Sequence, residues 1–195
     1  MITALEFNKL YRLGKKTLEI GCGEGDSARF ILENSNAPLD LLDVSKEMVT
    51  SAKKNLKPFS KRIKYICEDG LAYLHRAKPY DIIFSEWTIH NFSWKEKTSL
   101  FKAIYNNLHS KGYFLFMDKV YPDKGASELL KIQNRRYTYL KSQDAKDMIT
   151  HENGDYLDKH RMNESSLVKT LKDVGFRKIS IIDRVERDIV LIAQK

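Results

Sequence analysis

The sequence predicts an α/β fold: an open, mostly parallel β-sheet covered by helices on both faces. Three observations predict it. Short apolar runs alternate with stretches of helical periodicity along most of the chain. One run, Tyr80-Asp81-Ile82-Ile83-Phe84-Ser85, is nearly continuous in apolar residues, as a strand buried on both faces has to be. The run Leu18 to Ile20 leads directly into a turn with glycine at every second position, Gly21-Cys22-Gly23-Glu24-Gly25, and helical spacing follows through Ala28, Phe30, Ile31 and Leu32.

That strand–turn–helix stretch organises the rest. Glycine permits positive φ and lets a ligand approach bare backbone. The helix behind it starts with unpaired N–H groups, and Asp26 or Ser27 is expected to cap it. The result is a cradle for a nucleoside-bearing ligand. Ahead of it, Leu5, Phe7, Leu10, Tyr11 and Leu13 share one side of a short helix ended by Gly14, with Tyr11 placed either toward the ligand or in the core. Ala37-Pro38 breaks the first helix, and Leu39 to Asp43 reads as the second strand. Asp43 stands about twenty residues past the glycines, where a carboxylate accepts bonds from ribose hydroxyls or simply supplies charge to a helix start.

Ser45 is a natural N-cap for a helix with Met48, Val49, Ala52 and Leu56 at apolar spacing. Ile63 to Glu68 alternates as a third strand and ends at Asp69-Gly70-Leu71. The apolar run from Tyr80 is the fourth strand. Trp94 to Leu108 is a helix stopped by Ser110-Lys111-Gly112, and Tyr113 to Asp118 is the fifth strand.

Residues from Tyr121 to about Met162 exceed an ordinary connection. A turn at Pro122, Asp123 and Gly125 precedes helices from Ala126 to about Leu140 and from Asp144 to about Ile149. This is an inserted helical cap, on the side where open α/β sheets bind ligands. Gln133, Arg135, Arg136, Tyr137, Tyr139, His151, His160 and Arg161 are its candidates for contacting a substrate. Asn163-Glu164-Ser165-Ser166 caps a helix from Leu167 to Val174, and strands at Phe176 to Ile182 and Asp188 to Ala193 close the chain.

The glycine spacing is G-x-G-x-G with Glu19 two positions upstream, not the G-x-G-x-x-G of dinucleotide sites. A carboxylate there suits a ligand with a cationic amino-acid end and repels a pyrophosphate. The pattern resembles motif I of the class I S-adenosylmethionine (SAM)-dependent methyltransferases. Leu42 to Val49 is similar to the family's second motif, Glu86 to Phe92 to its fourth, and the Leu-x-x-Val-Gly-Phe signal at Leu171 to Phe176 to its C-terminal region. The resemblance runs from about residue 14 to the end.

It implies a Rossmann-like three-layer sandwich with seven strands, the last antiparallel, and a single domain over 1–195 with the insert at about 121–162. It implies SAM as cofactor and S-adenosylhomocysteine as product. The binding residues implied are Glu19, Gly21, Cys22, Gly23, Gly25, Asp43, Val44, Met48, Asp69, Gly70, Leu71, Ser85, Glu86 and Trp87. Asp69, with Glu68 as its neighbour and competitor, would meet the adenine amino group, or would serve only as a turn and cap. Trp87 and His90 would face the acceptor, with Tyr11, Arg135, Arg136 and Tyr139. Where the acceptor needs deprotonation, His90 and Glu86 are the nearest suitable groups.

Three functions remain open at this point. One is a methyltransferase acting on a small-molecule acceptor. The second is an RNA or tRNA modification enzyme, suggested by a net charge of +8; it includes a weaker similarity to carboxy-SAM synthases. The third is a non-catalytic SAM-binding module. Base N-methylation is disfavoured because the Asn/Asp-Pro-Pro-aromatic tetrad is absent at 85–88, and the carboxy-SAM branch because its arginine falls at Thr170.

The basic residues are spread along the chain, with short clusters such as Lys53-Lys54 and Lys61-Arg62. Apolar content of 42% and charged content of 31% fit a globular protein. No apolar run suits a bilayer, the start Met1 to Asn8 does not read as a signal peptide, and Cys22 and Cys67 make neither a disulfide framework nor a metal site. The expectation is a cytoplasmic monomer or homodimer with no membrane partner and no metal.

Overall fold

The computed structural model describes residues 16–123, 125–156 and 160–195. The expected helix before Gly14, and with it Tyr11, lies outside the described residues. Seven strands form one sheet: β1 (Thr17–Ile20), β2 (Leu39–Asp43), β3 (Ile63–Cys67), β4 (Tyr80–Glu86), β5 (Leu108–Lys119), β6 (Arg177–Val185) and β7 (Asp188–Gln194). Their order is β3-β2-β1-β4-β5-β7-β6. β1 pairs parallel with both β2 and β4, whereas β7 runs antiparallel between β5 and β6. The chain thus winds outward in one direction from β1, then crosses to β4 and winds the other way. That reversal leaves a crevice at the carboxyl ends of β1 and β4, where open α/β sheets take their ligands.

The helices are α1 (Asp26–Asn34), α2 (Lys46–Asn55), α3 (Gly70–Leu74), α4 (Trp94–Asn106), α5 (Ala126–Ser142), α6 (Lys146–Tyr156) and α7 (Glu164–Val174). Two apolar clusters, one on each face of the sheet, explain the near-continuous apolar strands. One packs Phe101 and Ile104 of α4 and Leu167 and Leu171 of α7 against Phe114 and Phe116. The other packs Ala28, Ile31 and Leu32 of α1 against Leu39, Leu41, Phe84 and Leu115.

Several expected boundaries move, each for a local reason. Neither Asp26 nor Ser27 caps α1; Gly25 holds the N-cap position at φ 90° and no side chain bonds there. α4 stops at Asn106 because the Asn107 side-chain amide donates to the carbonyls of Leu74 and Ala103. Ser110-Lys111-Gly112 then belongs to β5, as an irregularity in its pairing with β4, not to a helix end. A Cβ on Gly112 would lie 2.9 Å from the His109 carbonyl and 3.0 Å from that of Asp81, so only glycine fits that bend. α6 continues to Tyr156, past Ile149. α7 starts at Glu164 without a side-chain cap from Asn163; Ser165 instead gives its N–H and hydroxyl to Asp123 at 2.8 and 2.9 Å.

The ends of the helical insert are joined. Tyr121 N–H donates to the Met162 carbonyl at 2.8 Å, and Glu164 N–H donates to the Tyr121 carbonyl at 3.0 Å. The pair α5–α6 is fixed to the sheet by a buried charge cluster. Glu152 of α6 meets Arg187 at 2.5 Å, Lys119 at 3.4 Å and Arg136 at 3.6 Å.

Candidate active site

A cavity of about 720 Å³ opens at the sheet's reversal point, lined from the carboxyl ends of β1, β2 and β4 and the segments after them. The glycine turn forms its floor. Gly21, at φ 76°, has no room for a side chain, since a Cβ would come within 2.1 Å of Thr88 Oγ1. Gly23, at φ 49°, has nothing within 4 Å of that position, so its backbone is open to a ligand. The turn is tied to β2: Gly21 and Cys22 donate to the Leu42 carbonyl, and Asp43 Oδ2 accepts from Gly23 N–H at 2.9 Å. Asp43 Oδ1 accepts from Ser45 N–H, also at 2.9 Å. Asp43 therefore stitches two loops while each oxygen keeps acceptor capacity toward the cavity it lines.

The wall is acidic. Glu19, Glu24, Asp26, Asp43 and Glu86 line its turn side, and Glu68, Asp69 and Glu96 complete it. No lysine, arginine or histidine lines it among the described residues. Most of these carboxylates have partners. Glu68 pairs with Arg76, Asp69 caps α3 through Ala72 N–H at 2.9 Å, and Glu96 accepts from Ser93 in a capping box. Glu19 differs. It is 1% exposed and its Oε2 has no hydrogen-bond partner. Burial, and then the charges of Glu86, Asp43 and Asp26, push its carboxyl well above the usual carboxylate range. A cation at hydrogen-bond distance is the neighbour that would reverse that shift. Glu86 carries a second orphan, Oε1, while its Oε2 accepts from Ser27.

Val44 and Met48 line the mouth beside Asp43 and are 71% and 39% exposed, an apolar surface suited to the face of a planar ring. Opposite, Trp87 sits at φ 50°, a left-handed backbone that a bulky residue rarely adopts. Its N–H donates to the Met117 carbonyl at 3.0 Å, which holds the turn after β4 against β5. Thr88, Asn91, Phe92 and Leu100 continue this side. Lys97, fully buried, shapes it by donating to the carbonyls of His90, Phe92 and His160.

The structure thus gathers Glu19, Gly21, Cys22, Gly23, Asp43, Val44, Met48, Asp69, Gly70, Leu71, Glu86 and Trp87 around one cavity. Other expected residues lie elsewhere. Gly25 is not on the wall; it turns the chain into α1. Ser85 is fully buried, and its hydroxyl donates to the Ile20 carbonyl at 3.0 Å. His90 does not line the cavity either. Its Nδ1 bonds Asp118 Oδ1 at 2.6 Å, its N–H donates to Asp118 Oδ2 at 3.0 Å, and its Nε2 meets His151 Nε2 at 3.2 Å. Arg135 pairs with Glu186, Arg136 lies beside Glu152 and over the Tyr139 ring, and none of the three lines the cavity. A separate hollow of about 390 Å³, lined by Asn91 and by His151, His160 and other residues of the insert, shares Asn91 with the cavity.

Sequence reasoning missed Glu24, Asp26, Ser27, Thr88, Asn91, Phe92, Glu96 and Leu100 on the wall. Glu24 lies within the glycine turn, and Asp26 and Ser27 were legible as the first turn behind it; the others depend on how the chain after β4 folds back. Among the described residues, no group of three or more histidine, cysteine or acidic side chains is arranged to hold a metal, and no helix is long and apolar enough to cross a membrane.

Comparison with known proteins agrees with this geometry. Residues 17–112 match the family described as "Methyltransferase domain". A malonyl-[acyl-carrier protein] O-methyltransferase of Ilyobacter polytropus is 39% identical over 101 residues, which is 51% of this chain and 36% of the relative. A carboxy-S-adenosyl-L-methionine synthase of Campylobacter curvus is 26% identical over 109 residues, 55% of this chain and 46% of the relative. The chain spans less than half the length of these curated relatives. Among solved structures, a phosphoethanolamine N-methyltransferase of Haemonchus contortus in complex with S-adenosylhomocysteine superposes with a TM-score of 0.67 at 22% identity, covering 92% of this chain and 37% of that one. Sheet order and glycine turn give the chain the Rossmann-like methyltransferase fold, and residues 17–112 match the methyltransferase domain.

Proposed function

We propose that the protein is a SAM-dependent methyltransferase acting on a small-molecule acceptor. The observation that carries this reading is Glu19, a buried carboxylate without a partner, facing a cavity whose floor is bare glycine backbone. A ligand that offers an ammonium to Glu19, hydroxyls to Asp43 and a flat ring to Val44 and Met48 satisfies all three features at once. SAM has those three groups, and when bound it supplies an electrophilic methyl on a sulfonium. Asp69 and the N–H groups of Gly70 and Leu71 are placed to read the ring's edge. Glu86 and Trp87 stand at the end of β4 beside the remaining space.

The chain's task in such a transfer is placement. The leaving group is activated and neutral once it departs, so holding the acceptor in line supplies most of the rate, up to about 7–11 kcal/mol in favourable intramolecular cases. His90, bonded to Asp118 and His151, is not placed to take a proton from an acceptor in this cavity. Glu86, with a free oxygen on the wall, is.

The net charge of +8 favours an RNA partner, but the acidic wall opposes a phosphate inside the cavity. The same wall offers no cation to a carboxylated methyl, which weighs against the carboxy-SAM reaction. Calorimetry with S-adenosylhomocysteine tests the proposal: wild-type protein binds it and Asp43→Ala binds at least tenfold more weakly. Absence of heat with folded protein, or an Asp43→Ala titration identical to wild type, overturns it.

A further inference from the structure

We propose that the acceptor is an amine that arrives as an ammonium cation, and that the site excludes anionic acceptors. Its role as acceptor rests on the methyltransferase reading above. The chain as a whole is strongly basic, yet all of the charged side chains on the cavity wall, among the described residues, are carboxylates. Glu19 and Asp43 are accounted for by the cofactor's amino-acid end and ribose. Glu86 and Glu96 each spend one oxygen inside the protein, Glu86 Oε2 on Ser27 and Glu96 Oε2 on Ser93, and the cofactor uses neither carboxylate.

These two stand on the segment from the end of β4 to α4, together with Trp87, Phe92 and Asn91. Two aromatic rings and two carboxylates suit an ammonium group, through cation–π attraction and ion pairing. Among the described residues, no cation on this side pairs with a phosphate or carboxylate. Bonds from Ser93 hold the Glu96 carboxyl below its usual range, so it is charged at neutral pH. Glu86 Oε1 is buried and unpartnered, a proton acceptor in place.

The chemistry balances. The ammonium gives one proton to Glu86 Oε1 and onward to solvent. The freed nitrogen pair would bond the methyl carbon as the carbon–sulfur bond breaks, with the bonding electrons of that carbon–sulfur bond remaining on sulfur as a neutral thioether. The product is the methylated ammonium, which keeps one positive charge.

The test compares 2-phenylethylamine, 3-phenylpropionate and phosphoethanolamine, each titrated by calorimetry into protein saturated with S-adenosylhomocysteine. The amine is expected to bind at least tenfold more tightly than either probe bearing an anionic group. Glu96→Gln, which retains the capping-box acceptor, is expected to lose at least fivefold in amine affinity while S-adenosylhomocysteine affinity stays within twofold. Equal or tighter binding of the carboxylate or phosphate probe overturns the proposal, as does an unchanged amine affinity in Glu96→Gln. Amine preference in a protein that ignores S-adenosylhomocysteine keeps the cation site and removes the methyltransferase reading.

Discussion

Two glutamates in this molecule are equally hidden and oppositely treated. Glu19 and Glu152 are each 1% exposed. Glu152 is surrounded by Arg187, Lys119 and Arg136; burial alone would raise its carboxyl, but those cations, Arg187 foremost, outweigh burial and hold it below the usual range. Glu19 has burial and three further carboxylates acting in the same direction, and its carboxyl is raised. The first pattern is that of a structural tie, which joins α6 to the sheet. The second makes no sense for folding alone, because it costs stability and returns no contact. A buried carboxyl without a partner marks the place where a partner has to come from outside.

Substitutions at these two positions should therefore separate cleanly. The largest effect is expected for Glu152→Gln, which removes the carboxylate that Arg187, Lys119 and Arg136 share and leaves Asp188, 3.7 Å from Arg187, beside them; loss of one member of a buried pair costs about 3–5 kcal/mol. Denaturant unfolding measures it, and a loss under about 1 kcal/mol breaks the comparison. Glu19→Gln should do the reverse. It removes a buried, repelled carboxyl, so stability at pH 7 should rise by about 0.5–2 kcal/mol. At the same time affinity for S-adenosylhomocysteine should fall by about 1.5–3 kcal/mol, the usual worth of a hydrogen bond to a charged group. A variant both less stable and equally good at binding places Glu19 in the fold instead of the site.

The pH profiles sharpen the contrast, since the signs differ. Glu19 has a folded-state pKa above its unfolded value, so the folded protein holds the extra proton, and its contribution declines as pH rises from about 4.3. Glu152 has a depressed folded-state pKa; its contribution is present above the unfolded value and is lost as pH falls through the folded one. Unfolding curves of Glu19→Gln should lack the first slope and those of Glu152→Gln the second. Binding of a cationic ligand at Glu19 should lower its raised pKa and release a proton at pH values where the buried carboxyl holds one, visible as a buffer-dependent heat. The smallest effect is expected at Arg135, whose pair with Glu186 is exposed. Arg135→Ala should change stability by less than about 1 kcal/mol and leave turnover at the wild-type rate.

The same contrast explains what could be read from the residues alone. The glycine turn, β2 with Asp43 at its end, and the Ser45 cap are local features, set by neighbours within a few positions, and they lie where the sequence puts them. His90 has its fate decided by Asp118 and by His151 of α6, partners far along the chain with no local signature. Ser85 lies in a strand buried on both faces, where alternation no longer tells which side a residue faces. The extended β5 escaped notice because Ser-Lys-Gly is turn chemistry, overridden by pairing of Leu108 with Tyr80. Arg136 of the insert looked free to meet a substrate because Glu152, beside it, comes from the next helix.

The hydrogen-bonded neck of the insert, where Tyr121 holds both Met162 and Glu164, has an evolutionary corollary. The register of β5 does not depend on what is strung between the two sides of that neck. As long as a carboxylate like that of Glu152 still meets Arg187 and Lys119, chain there can be lengthened for an entropic cost that grows only with the logarithm of its length. A lineage could therefore remodel the helical insert many times without disturbing the glycine turn and strand ends that line the cavity.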